Sequence, residues 1–145
     1  MLVQFSVAAG LIGATVAIQA LFMSTGLRTF KWIEEHRSRV IARNPTIVAV
    51  IWILFLIIPI ILDVTLWAIF YYAQAVLQSF EDALYFSTVT FTTVGYGDVV
   101  LGREWRQLAT FEAINGWIIF GWATALIIAV IQRLYFPPDA RRAGK

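Results

Sequence analysis

The sequence predicts an all-α membrane protein: three spanning helices, one short re-entrant helix that enters the bilayer without crossing it, and a glycine-containing loop behind that helix. Three observations predict it. Of 145 residues, 60% are hydrophobic and 14% charged, with a mean hydropathy of +0.77, whereas soluble domains are about 45–50% apolar. Three runs, 1–27, 45–74 and 107–133, reach the length that a hydrocarbon core requires, which is about 20 apolar residues. Between the second and third runs lies a capped segment, 79–91, too short to span and followed by Gly95 and Gly97.

Composition also excludes several classes of function. The chain has no cysteine, which removes disulfides, thiolate nucleophiles and cysteine metal sites, and its one histidine, His36, makes no metal cluster. A net charge of +2 and a pI near 9.2 would suit nucleic acid, but the basic residues stand beside apolar runs. That placement favours the membrane surface over nucleic acid. No catalytic constellation or cofactor is expected.

Residues 1–27 contain no charge and read as a retained span. A secretory signal would carry a basic start and an apolar core of about 7–15 residues, and no Lys or Arg precedes Arg28. Ala9, Gly13, Ala17 and Ala20 form a stripe of small residues on which another helix is expected to pack.

Residues 28–44 change character, with Arg28, Lys31, Arg37, Arg39 and Arg43 against Glu34 and Glu35. A helical projection puts Leu27, Phe30, Ile33, Val40 and Ile41 on one face and most charges on the other. Such a segment is expected to lie along cytoplasmic headgroups, its basic side chains meeting anionic lipid; the alternative is a plain charged linker. His36 is either a pH-responsive group or simply solvated.

Asn44-Pro45-Thr46 is a helix start, with proline in the first turn. Pro59 is expected to kink this second span, and Trp67, Tyr71 and Tyr72 mark its far interface. Asp63 is the one charge in the run. An intramembrane carboxylate is a candidate functional group, and here it is either that or a structural acceptor, with Arg103, Arg106 or hydroxyl groups as the expected neighbours.

Ser79 followed by Asp82 reads as a capping box, and Glu81 and Asp82 suit the positive end of the helix dipole. The helix over 79–91 is therefore expected to dip in and stop, its negative end directed at the membrane centre where a cation benefits. A turn at 99–107 leads into the third span, 107–133, which ends in the short tail, 134–145, with its Phe136-Pro137-Pro138 stop. Residues 28–46 carry five Lys or Arg, the tail from Gln132 four, and the segment 74–107 only two. Basic residues favour the cytoplasm, so the linker and tail are expected inside, and the N-terminus and the 92–98 loop outside.

That loop reads Thr92-Thr93-Val94-Gly95-Tyr96-Gly97-Asp98. Successive backbone carbonyls can point one way only if the chain alternates between right- and left-handed conformations, which glycine allows without steric cost. Residues 85–98, with the spans on either side, resemble the pore domain of tetrameric potassium channels, in the two-span-plus-pore-loop class common in bacteria. The resemblance covers about 46–133 and implies an outer helix over 45–74, a pore helix over 79–91, a selectivity filter over 92–98 and an inner helix over 107–133. It implies a homotetramer in a bacterial inner membrane whose function is passive, potassium-selective permeation, with potassium as permeant ion and no other metal.

The ion ligands it implies are the carbonyls of Thr93, Val94, Gly95 and Tyr96, with the Thr93 hydroxyl at the inner end and Gly97 completing the motif. Thr92, Asp98, Glu112 and Asp63 would support the filter. Glu112 is expected to find its donors at Thr90, Thr92 or Tyr85, or else to be solvated at the outer interface. Gly116 would be the inner-helix hinge, and Phe120, Thr124, Ile128 and Gln132 would face the axis as cavity or gate; their spacing of four also fits a face packed on another helix.

Three features depart from the family pattern. Leu101-Gly102 stands where a proline is often found, Val89 stands where some relatives have a glutamate that pairs with the filter aspartate, and the first span carries no arginine ladder; the span over 1–27 is itself additional to the minimal pattern. Asp98 must then find another partner. Neither a voltage sensor nor a ligand-binding gating domain is expected from the sequence. Two other functions stay open: a weakly selective cation pore, and a non-conducting scaffold or accessory subunit.

Overall fold

The protein was analysed as a computed structural model that describes residues 2–36 and 44–136, without the side chains of 33–36. The described residues form four helices: α1 (Leu2–His36), α2 (Pro45–Ala73), α3 (Phe80–Phe91) and α4 (Arg106–Tyr135). Three of them, α1, α2 and α4, are long and apolar enough to cross a membrane. The described residues include no strand.

The three long helices lie side by side with α1 and α4 antiparallel to α2. At one end Phe30 of α1 meets Trp52 of α2, their ring centroids 5.8 Å apart, and Thr46 bonds Tyr135 at 3.0 Å. Toward the other end Tyr71 of α2 bonds Glu112 of α4, and α3 is wedged between those two helices, burying Ala83, Phe86, Ser87 and Phe91.

Each helix end has a local cause. Pro45 starts α2 in its first turn, and the helix runs unbroken through Pro59. It stops where Ala75 takes φ 50°, with the Val76 N–H bonding the Tyr71 carbonyl at 2.9 Å, a left-handed stop in which the carbonyls of Phe70, Tyr71 and Tyr72 are satisfied. Ser79 caps α3: its hydroxyl oxygen accepts the Asp82 N–H at 3.0 Å, as the sequence suggested.

The first helix departs from the expected division at 27 and 28. It continues to His36 because nothing from Leu27 onward breaks it: neither glycine nor proline intervenes. Its start as an interfacial segment is also revised, since Leu27 and Phe30 pack against Trp52, Leu56, Leu126 and Val130. Arg28 and Lys31 are exposed. Arg37, Arg39, Arg43 and the apolar positions Val40 and Ile41 lie outside the described residues, as do the side chains of Ile33 and His36.

The small-residue stripe is not the surface that α1 uses within this chain. Ala9, Gly13, Ala17 and Ala20 are exposed, while Ala8, Thr15, Gln19, Gly26 and Phe30 are buried. Those five recur at spacings of seven and four, one continuous helical face. A Cβ on Gly26 would stand 2.8 Å from both Trp52 and Phe55, so this position has to be glycine for α1 to reach α2.

Candidate functional site

The site forms where α3 ends. The Thr93 N–H bonds the Thr90 carbonyl at 2.9 Å, and the Val94 and Gly95 N–H groups both bond the Val89 carbonyl, at 3.0 and 3.2 Å. This ties the loop to the last turn of α3. Left-handed backbone follows at every second residue, with φ of 61° at Thr93, 57° at Gly95 and 80° at Gly97. The glycines adopt it freely; Thr93, a β-branched residue, does so only when its surroundings enforce it. Glycine chemistry pointed to positions 95 and 97, and no residue type signals position 93.

Within one chain the loop has open sides. Val94 is 52% and Tyr96 72% exposed, and a Cβ built on Gly95 or Gly97 would meet nothing within 4 Å. Asp98 pairs with Tyr85, whose hydroxyl donates at 2.6 Å. That bond holds the Asp98 carboxyl below its usual range and pushes the Tyr85 hydroxyl up. Because the Asp98 value is depressed, the contact is intact at neutral pH and is lost as pH falls through it. Thr92 turns its hydroxyl to the Thr88 carbonyl at 2.7 Å.

Behind the loop, Glu112 is fully buried, but its neighbours differ from those expected. Neither Thr90, Thr92 nor Tyr85 reaches it; Tyr71 donates to one carboxyl oxygen at 2.7 Å, and Ser87 bonds the other. The reason is rotation about α3: Ser87 lies on its buried face, whereas Tyr85 is turned to Asp98 of the loop and Thr92 bonds back to the Thr88 carbonyl. The Ser87 hydroxyl also lies 2.9 Å from the Val64 carbonyl. One hydroxyl proton cannot serve two acceptors. The set closes when Glu112 is neutral and donates to Ser87, Ser87 donates to Val64, and Tyr71 donates to Glu112.

This arrangement makes a test. Glu112→Gln keeps one donor and one acceptor in place and is expected to change stability by less than about 1 kcal/mol, whereas Glu112→Leu leaves the Tyr71 hydroxyl without its acceptor, at about 1–3 kcal/mol, while Ser87 keeps its bond to the Val64 carbonyl. Thermal unfolding of the two variants in detergent reads the difference, and equal behaviour would remove the hydrogen-bonding argument.

Asp63 is likewise buried, and the expected neighbours Arg103 and Arg106 are not its partners: Gln19 of α1 donates to it at 3.2 Å. The first helix, which lies outside the family pattern, is what closes over it. Gly116 lies inside an unbroken α4, directly under the end of α3; a Cβ there would stand 1.9 Å from the Phe91 carbonyl oxygen. Phe120 packs on Phe91, with centroids 6.1 Å apart, while Thr124, Ile128 and Gln132 are exposed on the next turns.

A short capped helix is thus held between two membrane-length helices and ends in a loop with left-handed backbone. A family profile described as an ion channel matches residues 46–133, and the chain belongs to that family of ion channels, which are not enzymes. Of curated proteins, "Two-pore potassium channel 4" of Arabidopsis thaliana is 27% identical over 89 residues, covering 60% of this chain and 31% of the relative. The matched region thus spans about a third of that protein's length. No solved structure gives a significant match.

Proposed function

We propose that the chain is one subunit of a homotetrameric, potassium-selective channel, in which ions pass along the carbonyls of Thr93, Val94, Gly95 and Tyr96. The observation that carries this reading is the left-handed backbone at 93, 95 and 97, since alternating handedness is what lets consecutive carbonyls replace an ion's hydration shell. The motif and the potassium-channel relative support the choice of ion. One loop walls a quarter of a pore, and its open sides at Val94 and Tyr96 suit three further copies. The count of basic residues supports a filter facing outside and a C-terminus in the cytoplasm. Arg28 and Lys31 are exposed where anionic headgroups would meet them.

Reversal potentials of the reconstituted protein under opposed sodium and potassium gradients test the proposal. A reversal close to the potassium equilibrium value is expected. A value midway between the two ions would make it a weakly selective cation pore, and no flux from a well-folded tetramer would make it a scaffold.

The exposed face of Thr124, Ile128 and Gln132 is proposed to line the inner cavity, with Ile128, 50% exposed in the single chain, as an apolar constriction. Such rings close by dewetting. Ile128→Asn is expected to raise resting potassium flux several-fold in a liposome efflux assay while selectivity is kept. Unchanged flux from an intact tetramer would place the closed barrier elsewhere.

A further inference from the structure

The seam between α1 and the rest of the chain is short of hydrogen-bond donors. Thr15 gives its one hydroxyl proton to the Ile12 carbonyl at 2.9 Å, so Asn115 has to present its N–H to that hydroxyl, at 2.8 Å. The Asn115 carbonyl oxygen is thereby turned away, buried and without a partner. One turn further along α1, Gln19 donates to one oxygen of Asp63. The second Asp63 oxygen is also buried and without a partner.

A third orphan, the Trp67 indole N–H, stands one turn from Asp63 on the same face of α2. Since Tyr71 of α2 meets Glu112 of the antiparallel α4, four residues back along α2 and three forward along α4 put Trp67 level with Asn115 at about 1.5 Å per residue. Asp63 follows one turn deeper. The three orphans are thus two acceptors and one donor.

A proton on Asp63 corrects the balance, because it turns one orphan acceptor into a donor for the Asn115 carbonyl, directly or through one bridging water. It also removes a charge that has nothing to offset it. The α1 helix is uncharged as far as Leu27, Asp63 is the sole charge of α2, and α4 carries only Arg106 and Arg133 near its ends besides Glu112. Glu112 is occupied by Tyr71 and Ser87, and the acids of α3, Glu81 and Asp82, stand at its capped end.

We propose that Asp63, with Gln19 of α1 and Asn115 of α4, is a proton-binding site occupied at neutral pH, and that loss of this proton loosens α1 from the ion-channel domain. The neutral form stabilises the seam, so docking persists at acid and neutral pH and weakens as pH rises through the site's titration. Asn115 adjoins Gly116, which supports the end of α3, so the site reaches from the first helix to the base of the loop. It holds whether or not the pore selects potassium.

Infrared spectroscopy of the full chain in liposomes, with carbon-13 in the aspartate carboxyls, tests it without interference from Glu112. A protonated-carboxyl band at neutral pH is expected, lost in Asp63→Asn and converted to carboxylate bands in alkali. Docking is read separately with Phe5→Cys and Phe111→Cys, whose parent rings lie 5.1 Å apart; no other cysteine is present. Bridging by a short bifunctional thiol reagent should fall several-fold in alkali relative to the same pair carrying Asp63→Asn, in which the amide supplies the donor permanently. Only carboxylate bands at neutral pH, or an equal fall in both backgrounds, would overturn the proposal. If Asp63→Asn fails to fold, the labelled wild-type spectrum alone decides.

Discussion

Gly95→Ala is expected to abolish potassium-selective flux while the helices still fold and assemble. A Cβ has room at Gly95 inside the chain, where nothing lies within 4 Å, so the effect is not a clash. It is conformational: Gly95 sits at φ 57°, where a side chain costs roughly 1–2 kcal/mol. Repeated in four subunits around one axis, that is about 4–8 kcal/mol against the strained loop. Thr93 already holds φ 61° against the preference of its own side chain, so little tolerance is left. The loop should then relax to right-handed backbone and turn a carbonyl away from the axis. Reversal potentials of the reconstituted variant measure this, and unchanged selectivity would count heavily against the pore assignment.

The sequence was most informative where one physical signal dominates. Hydropathy placed the three long helices, because a bilayer needs a minimum apolar length, and Ser79 announced the start of α3 by its chemistry alone. The glycines marked two of the three left-handed positions in the loop. What stayed hidden depends on how helices are rotated against one another. The stripe of Ala9, Gly13, Ala17 and Ala20 is as good a packing face on paper as Ala8, Thr15, Gln19, Gly26 and Phe30, yet only the second is buried.

The polar partners were hidden for the same reason. Gln19 and Asp63 are 44 residues apart in the chain, and Thr15 and Asn115 are 100 apart, so no local pattern joins them. Ser87 and Tyr71 would have been better candidates for Glu112 had the buried face of α3 been known. One signal was available: Asp63, Trp67 and Tyr71 recur at every fourth residue, a single face of α2 on which an acid, an indole and a phenol must all find partners.

Gly116→Ala is expected to destabilise the assembled protein and disrupt the loop together. The added Cβ would lie 1.9 Å from the Phe91 carbonyl oxygen and 2.8 Å from its carbon, both backbone atoms. No rotamer change relieves that contact, so α3 has to move away from α4. Overpacking costs about 1–3 kcal/mol when side chains can adjust, and a backbone-to-backbone contact belongs at the upper end of that range. The displacement falls on Phe91, two residues before Thr93, and so reaches the residue whose left-handed backbone begins the loop. A hinge role for Gly116 makes a different forecast: alanine would be tolerated in stability and selectivity, and only opening would become harder. Thermal unfolding in detergent and reversal potentials, measured on the same preparation, separate the two. A marked fall in the unfolding temperature with loss of selectivity is expected, and a variant as stable and as selective as the parent would show that the close approach of α3 to α4 is not what Gly116 provides.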